Sequence, residues 1–158
     1  MSVPHILEGE IVTRGRKVAI VAARFNDFIV ASLLKGATAA WLERGGPAED
    51  LAIARVPGAF ELPVAARRLA LSGRYDAVVA LGCVIRGDTP HFELVAGECA
   101  RGLQLASLET GVPVIFGVLT VETVEQAIER AALTAGNKGG EAMAAALEMA
   151  SLMGRLSS

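Results

Sequence analysis

Runs of consecutive apolar residues alternate along this chain with longer segments whose apolar positions recur every three or four residues. Lys17–Ala23, Leu51–Val56, Asp76–Gly82 and Val112–Gly117 are short runs rich in Val, Ile, Leu and Ala, and each predicts a strand buried on both faces. The periodic segments follow them. Asp27–Arg44 places Val30, Leu34, Ala37 and Trp41 on one helical face, with Asp27 as its expected N-cap and Gly45-Gly46-Pro47 as its stop. Gly58–Ser72, His91–Glu109, Glu122–Thr134 and Gly140–Arg155 read as further helices, the last preceded by a loop, Ala135-Gly-Asn-Lys-Gly139. Residues 1–16 read as an arm with a short strand at Ile11–Thr13.

Strand–helix alternation implies an α/β fold, a three-layer α-β-α sandwich with right-handed crossovers around a four-stranded parallel sheet. The simplest strand order is the flavodoxin-like 2-1-3-4, and residues 1–158 form one domain of ordinary size. The third helix carries two apolar sides. Phe92, Val95, Ala96, Cys99, Leu103 and Ala106 form one, and Leu94, Leu105 and Leu108 lie on another. One side meets the sheet, and the other is expected to meet a neighbouring subunit.

Composition adds to that expectation. Hydrophobic residues make up 53% of the chain and the mean hydropathy is +0.47, more apolar surface than a domain this size hides in its own core. Alanine richness is the bland explanation; a large subunit interface is the favoured one. The longest stretch without a charged residue, Thr110–Val121, is too short to cross a bilayer. Fifteen basic residues against 17 acidic ones, net −2, argue against nucleic acid and anionic membrane as partners. Cys83 and Cys99 form neither a Cys-x-x-Cys pair nor a metal-ligand spacing, so reduced thiols are expected. The first ten residues carry Glu8 and Glu10 and no apolar core, so the chain reads as cytoplasmic.

In a parallel sheet the C-terminal strand ends share one rim, the usual place for a ligand. After the first strand come Arg24, Phe25 and Asn26; after the second, Pro57 to Glu61; after the third, Cys83 to Thr89; after the fourth, Phe116 and Gly117. Aromatic faces, a carboxylate, an arginine and a histidine on one rim suit a flat polar heterocycle together with an anion. Phe25 sits where the strand core ends, as a stacking platform or as packing under the first helix. Glu61 could bind a polar ligand, but on the residues alone it reads as a helix N-terminal carboxylate answering the dipole. Gly87-Asp88-Thr89 precedes a helix start, a candidate anion nest but a loose signal. Arg86 serves a ligand or an ion pair. His5 lies at the terminus, which leaves His91 as the imidazole placed to do chemistry near neutral pH. Lys138 binds an anion or stabilises its turn, and Arg130 alone reads as a solvated helix charge.

Taken in order, Ala23-Arg-Phe-Asn26, Val56-Pro-Gly-Ala-Phe-Glu61, Gly82-Cys-Val-Ile-Arg-Gly87, Thr89, His91, Pro113-Val-Ile-Phe-Gly117, Glu125-Gln-Ala-Ile-Glu-Arg130 and Ala135-Gly-Asn-Lys-Gly139 resemble the lumazine synthase family of riboflavin biosynthesis, over nearly the whole chain. The resemblance implies condensation of 5-amino-6-ribitylaminouracil with 3,4-dihydroxy-2-butanone 4-phosphate through an imine, with loss of phosphate and water, and with no cofactor or metal. It implies that Phe25 and Asn26 lie at the pyrimidine, that Ala59, Phe60 and Glu61 hold the pyrimidine and ribityl chain, and that Cys83, Val84 and Ile85 line the pocket through backbone groups. Asp88 and Thr89 would bind phosphate, His91 would move protons, and Phe116 and Arg130 would come from an adjacent subunit. That overturns the bland readings of Glu61 and Arg130. Asp88 is awkward, because it sets a carboxylate beside a phosphate unless it turns to solvent or to Arg86.

The resemblance also implies a homo-oligomer built from pentamers. A sixty-subunit shell is favoured over a free pentamer or decamer, because the loop before the last helix carries no insertion and the arm lacks proline after Pro4. The arm strand is expected to add to a neighbouring subunit's sheet, and riboflavin synthase is a candidate partner. Two other functions remain open at this stage: a non-catalytic flavin or lumazine binder, and a shell-forming protein of the same fold.

Overall fold

The computed structural model describes residues 2–134 and 136–157; Ala135, read as part of the loop before the last helix, lies outside them. The first and third apolar runs become the two central strands. β1 (Val18–Ala23) is buried at every position, and β3 (Ala77–Ile85) at every position but its last. Such strands need an apolar layer on both faces, and the helices between them supply it. In chain order, α1 (Asp27–Glu43) leads to β2 (Leu51–Val56), a 3₁₀ turn (Ala59–Glu61) leads into α2 (Leu62–Leu71), and β3 is followed by α3 (His91–Thr110). β4 (Val114–Val121), α4 (Val124–Ala131) and α5 (Lys138–Leu156) complete the order. The sheet is parallel throughout with order β2-β1-β3-β4, as expected. α1, α4 and α5 pack on one face against Ile20, Val79, Leu81 and Leu119; α2 and α3 pack on the other against Val21, Val78, Ala80 and Val118. Alternate residues of each strand thus serve alternate layers.

The α1–α5 contact is unusually close. Asn137 caps α5, its Oδ1 accepting from the Gly140 N–H at 3.0 Å, while its Nδ2 donates to the carbonyls of Ser32 (3.1 Å) and Ala131 (2.8 Å). One amide therefore joins α1, α4 and α5. A Cβ on Gly139 would run into the Leu33 carbonyl of α1. Gly139→Ala is accordingly expected to force α5 away from α1 and to cost about 1–3 kcal/mol. A thermal unfolding midpoint equal to that of the unaltered chain would contradict this.

Several expected boundaries move. β3 runs on through Cys83, Val84 and Ile85 rather than stopping at Gly82. β4 starts at Val114 and continues to Val121, so Phe116 and Gly117 lie within the strand and not after it. The helix expected from Gly58 begins with the 3₁₀ turn and becomes α-helical only at Leu62. α4 is shorter than Glu122–Thr134: Thr123 caps it, accepting from the Gln126 N–H at 3.1 Å, and Ala132 is already extended. At α1 the cap position belongs to Asn26, not Asp27, and Asn26 is left-handed with φ 63.

The expected strand at Ile11–Thr13 does not form within the chain. The arm is instead held at its base. The Glu10 N–H donates to Ser151 Oγ at 3.0 Å, and the Thr13 hydroxyl donates to the Arg44 carbonyl at 2.8 Å. Val3, Ile6, Ile11 and Val12 are left exposed.

Candidate active site

In this strand order the chain reverses direction across the sheet between β1 and β3, and a crevice opens at their C-terminal ends. A cleft of 590 Å³ lies there, lined by Phe25, Pro57–Glu61, His91, Leu94 and Val95. Each group comes from a different strand exit, which explains how positions distant in sequence meet.

The β1 exit is zipped to the β2 exit. The Arg24 N–H donates to the Val56 carbonyl at 2.7 Å and the Phe25 N–H to the Pro57 carbonyl at 3.0 Å. This fixes the backbone of Phe25 while its ring remains 72% exposed. The next residue, Asn26, turns the chain in a left-handed conformation that Asn tolerates better than most residues. Its Nδ2 donates to the Cys83 carbonyl at 2.8 Å, tying the β1 exit to β3. Asn26 thus acts here as a strut beside the cleft.

On the β2 side, the 3₁₀ turn buries Ala59 and leaves Phe60 60% exposed. Glu61 is half-buried, and a Cβ on Gly58 would stand 3.3 Å from its Oε1. Glu61 and Phe25 line the same cleft.

β3 runs past the end of β1 but keeps pace with β4. Its register with β1 ends at Ala22↔Leu81, while its register with β4 continues to Ile85↔Val121. Cys83–Ile85 therefore overhang the crevice with the β1-side backbone edge clear of the ladder. That edge, rather than a turn, is the hydrogen-bonding surface they offer. Burial pushes the pKa of the Cys83 thiol up to about 11, which leaves little thiolate near neutral pH, and does the same to Cys99 on the opposite sheet face. Both cysteines are free.

His91 opens α3 at the cleft wall. Its N–H reaches Thr89 Oγ1 at 3.4 Å, and residues 86–91 are exposed throughout. Arg86 is already engaged. Its Nε donates to Glu122 Oε2 at 2.6 Å, Nη1 donates to Glu93 Oε1, and the guanidinium lies 4.4 Å from the centre of the Phe92 ring. Those hydrogen bonds raise the Arg86 pKa above its ordinary value, and the hydrogen bond from Arg86 lowers that of Glu93. Asp88 does not take part in this network. Lys138 pairs with Glu141 at 3.2 Å, on α5 and away from the cleft.

Phe116 and Arg130 do not reach the cleft within one chain. Phe116 stands opposite Ala80 on the edge strand, five residues before the β4 end, and is 44% exposed. Arg130 lies near the far end of α4, on the sheet face opposite α3, with Nη1 donating to the Gln126 carbonyl at 3.1 Å.

Among the described residues no group of His, Cys, Asp and Glu could hold a metal ion, and no helix is long and apolar enough to cross a membrane. Residues 15–154 match the family model described as 6,7-dimethyl-8-ribityllumazine synthase. A protein of that name from Syntrophus aciditrophicus (strain SB) is 53% identical over 150 residues, covering 95% of this chain and 97% of the relative. A match of that extent, on a chain whose strand exits already converge on an aromatic, carboxylate and imidazole cleft, places it plainly: the chain belongs to the 6,7-dimethyl-8-ribityllumazine synthase family and carries that activity, a step of riboflavin biosynthesis.

Proposed function

We propose that the condensation takes place in the cleft between the Ala59–Glu61 turn and the start of α3. The observation that carries this is the meeting of Phe25, Glu61 and His91, from three different strand exits, around one cavity. The pyrimidine stacks on Phe25, between the Ala59–Glu61 turn and the β1-side edge of Cys83–Ile85, whose Cys83 carbonyl Asn26 already holds. Glu61 is positioned to accept hydrogen bonds from the ribityl hydroxyls. The phosphate of the four-carbon ketone lies at Asp88–Thr89, where backbone N–H groups serve it and the Asp88 side chain turns to solvent.

The chemistry then follows from the substrates. The 5-amino nitrogen adds to the ketone carbon, and water leaves to give an imine. Loss of a carbon-bound proton and expulsion of phosphate give an unsaturated intermediate. The ribityl-bearing nitrogen closes the ring, and a second water leaves. Each stage needs a proton taken from carbon or nitrogen or given to oxygen, and His91 stands at the cleft wall to carry it. Turnover with both substrates, followed by lumazine absorbance and fluorescence, tests the assignment; tight lumazine binding without turnover would make the chain a binder only. Because amines and an imidazole carry every step, activity is expected to survive EDTA. A loss restored by a divalent cation would overturn that expectation.

Phe116 and Arg130 complete the site from an adjacent subunit in this reading, Arg130 as a bidentate partner of the phosphate. Exposed apolar residues support assembly. Leu94, Leu105 and Leu108 on α3, Val64 and Leu71 on α2, and Val124 and Ile128 on α4 all face outward. A ring of five is the proposed unit, closing into a sixty-subunit shell in which riboflavin synthase is a candidate guest. β2 is an edge strand with Ile53 exposed, the kind of edge that proteins cover. The arm of a neighbour, Ile11–Thr13, is the proposed cover. Removing residues 1–14 is therefore expected to release smaller rings that keep the fold. Light scattering decides this: a uniform pentamer from the intact chain at neutral pH sinks the shell.

A further inference from the structure

We infer that Arg86 is a positioning residue: it ties the end of β3, the end of β4 and the first turn of α3 into one clamp, and so fixes the loop that carries Asp88, Thr89 and His91. The inference rests on the proposed role of that loop in phosphate binding and proton transfer, and it concerns how the loop is held.

The loop itself contains little that would hold it. Gly87 has no neighbour within 4 Å of where a Cβ would stand, and residues 86–91 are all exposed. The Thr89 hydroxyl reaches only the His91 N–H, at 3.4 Å. An exposed loop of this kind would lose considerable conformational entropy each time it closed on an anion. Its two ends, however, are joined through one side chain. The Arg86 N–H donates to the Val121 carbonyl at 2.9 Å, closing the last rung between β3 and β4. Its Nε then reaches Glu122 just beyond β4, at 2.6 Å. Its Nη1 crosses the loop to Glu93, two residues after His91 on α3, and its guanidinium plane covers the Phe92 ring at 4.4 Å from the centroid. The fork geometry of arginine suits two carboxylates held at different angles, which an ammonium would not match. Both ends of the loop are thereby set before substrate arrives, and the direction in which His91 leaves the helix start is set with them.

A direct role for Arg86 on the phosphate makes the opposite prediction for its acidic partners. If Arg86 bound phosphate, Glu93 and Glu122 would compete for it, and removing either would tighten the ketone phosphate. If Arg86 is a clamp, removing any member loosens the same loop. The experiment is steady-state kinetics on the intact assembly with Arg86→Met, Arg86→Lys, Glu93→Gln and Glu122→Gln. Arg86→Met is expected to raise the KM for the ketone phosphate by about fivefold, a modest effect because the pairs are solvent-exposed, and to leave the KM for the pyrimidine unchanged. Glu93→Gln and Glu122→Gln should move the same KM in the same direction, and Arg86→Lys should restore part of the loss. Adding Glu122→Gln to Arg86→Met should cost little more, since both break one clamp. A fall in KM with either Gln variant, or equal rises for both substrates, would overturn the clamp. If Arg86→Met fails to fold, the two Gln variants and the Lys variant still decide. Thr89→Ala and His91→Ala run alongside: if they leave kinetics untouched the loop assignment itself is wrong, whereas if they act and the clamp variants do not, only the clamp is.

Discussion

His91→Ala is expected to lower kcat by about 10²-fold while changing either KM far less, the low end of what general acid–base help contributes. The low end follows from the reaction. An amine adds to a ketone, and phosphate leaves, at an appreciable rate without help, so the imidazole accelerates proton transfers that water would carry more slowly. The imidazole stands at the cleft wall, placed there by its position in the first turn of α3. Removing it takes little packing away, because the residue is exposed. A fall in kcat therefore reads as lost chemistry and not as lost structure. An unchanged kcat would remove His91 from the mechanism and leave the cleft as a binding site that orients two reactive molecules.

The layers of this fold were legible because parallel strands buried on both faces write themselves as unbroken apolar runs. β2 was placed to the residue, and β1 and α1 to within one. The strand exits were not, and the errors have physical causes. Val84 and Ile85 are good strand residues, but the Arg-Gly that follows read as a turn that had already begun. Gly117 read as the end of β4, yet a Cβ there would stand 2.7 Å from the Ala80 carbonyl and 3.2 Å from the Ala142 Cβ of α5. It is a close-approach residue in mid-strand and not a terminator. Taking Gly117 for a strand end also puts Phe116 on the rim, whereas it lies within β4. Asn137 is visible as part of a loop motif, and its bonds to Ala131 and Gly140 are local, but the one that ties α5 to α1 reaches Ser32, 105 residues away. The sequence leaves Arg86 between a ligand and an ion pair, and the fold brings in Glu122, 36 residues on. What was legible of the site was the set of side chains at strand exits; what was not was which carbonyls and carboxylates each one already holds.

Arg130→Ala is expected to raise the KM for the ketone phosphate by roughly tenfold or more and to spare the pyrimidine, since a charge-assisted hydrogen bond is worth about 1.5–3 kcal/mol. The fold makes this prediction sharper than a loss of affinity. Arg130 lies on α4, packed on one sheet face, and His91 begins α3, packed on the other. Phe116 sits on the β4 edge below the rim, and strand alternation sets it on the α2/α3 face of the sheet with Val114 and Val118. A neighbour docking its β4 edge against the cleft, with α4 packed on that strand, would bring Phe116 and Arg130 from either side of the edge, and the two halves of each site would come from different subunits. Mixed assemblies test this directly. His91→Ala subunits have an intact Arg130, and Arg130→Ala subunits have an intact His91. In a ring whose contacts run head to tail, random one-to-one mixing makes about a quarter of the sites whole, each pairing His91 from one subunit with Arg130 from the next. At ketone phosphate concentrations below the altered KM, activity should therefore rise toward about a quarter of the unaltered level in proven mixed oligomers. Activity no higher than the average of the two variants would place both groups in one subunit's site, and α4 would then have to sit elsewhere than on the face opposite α3.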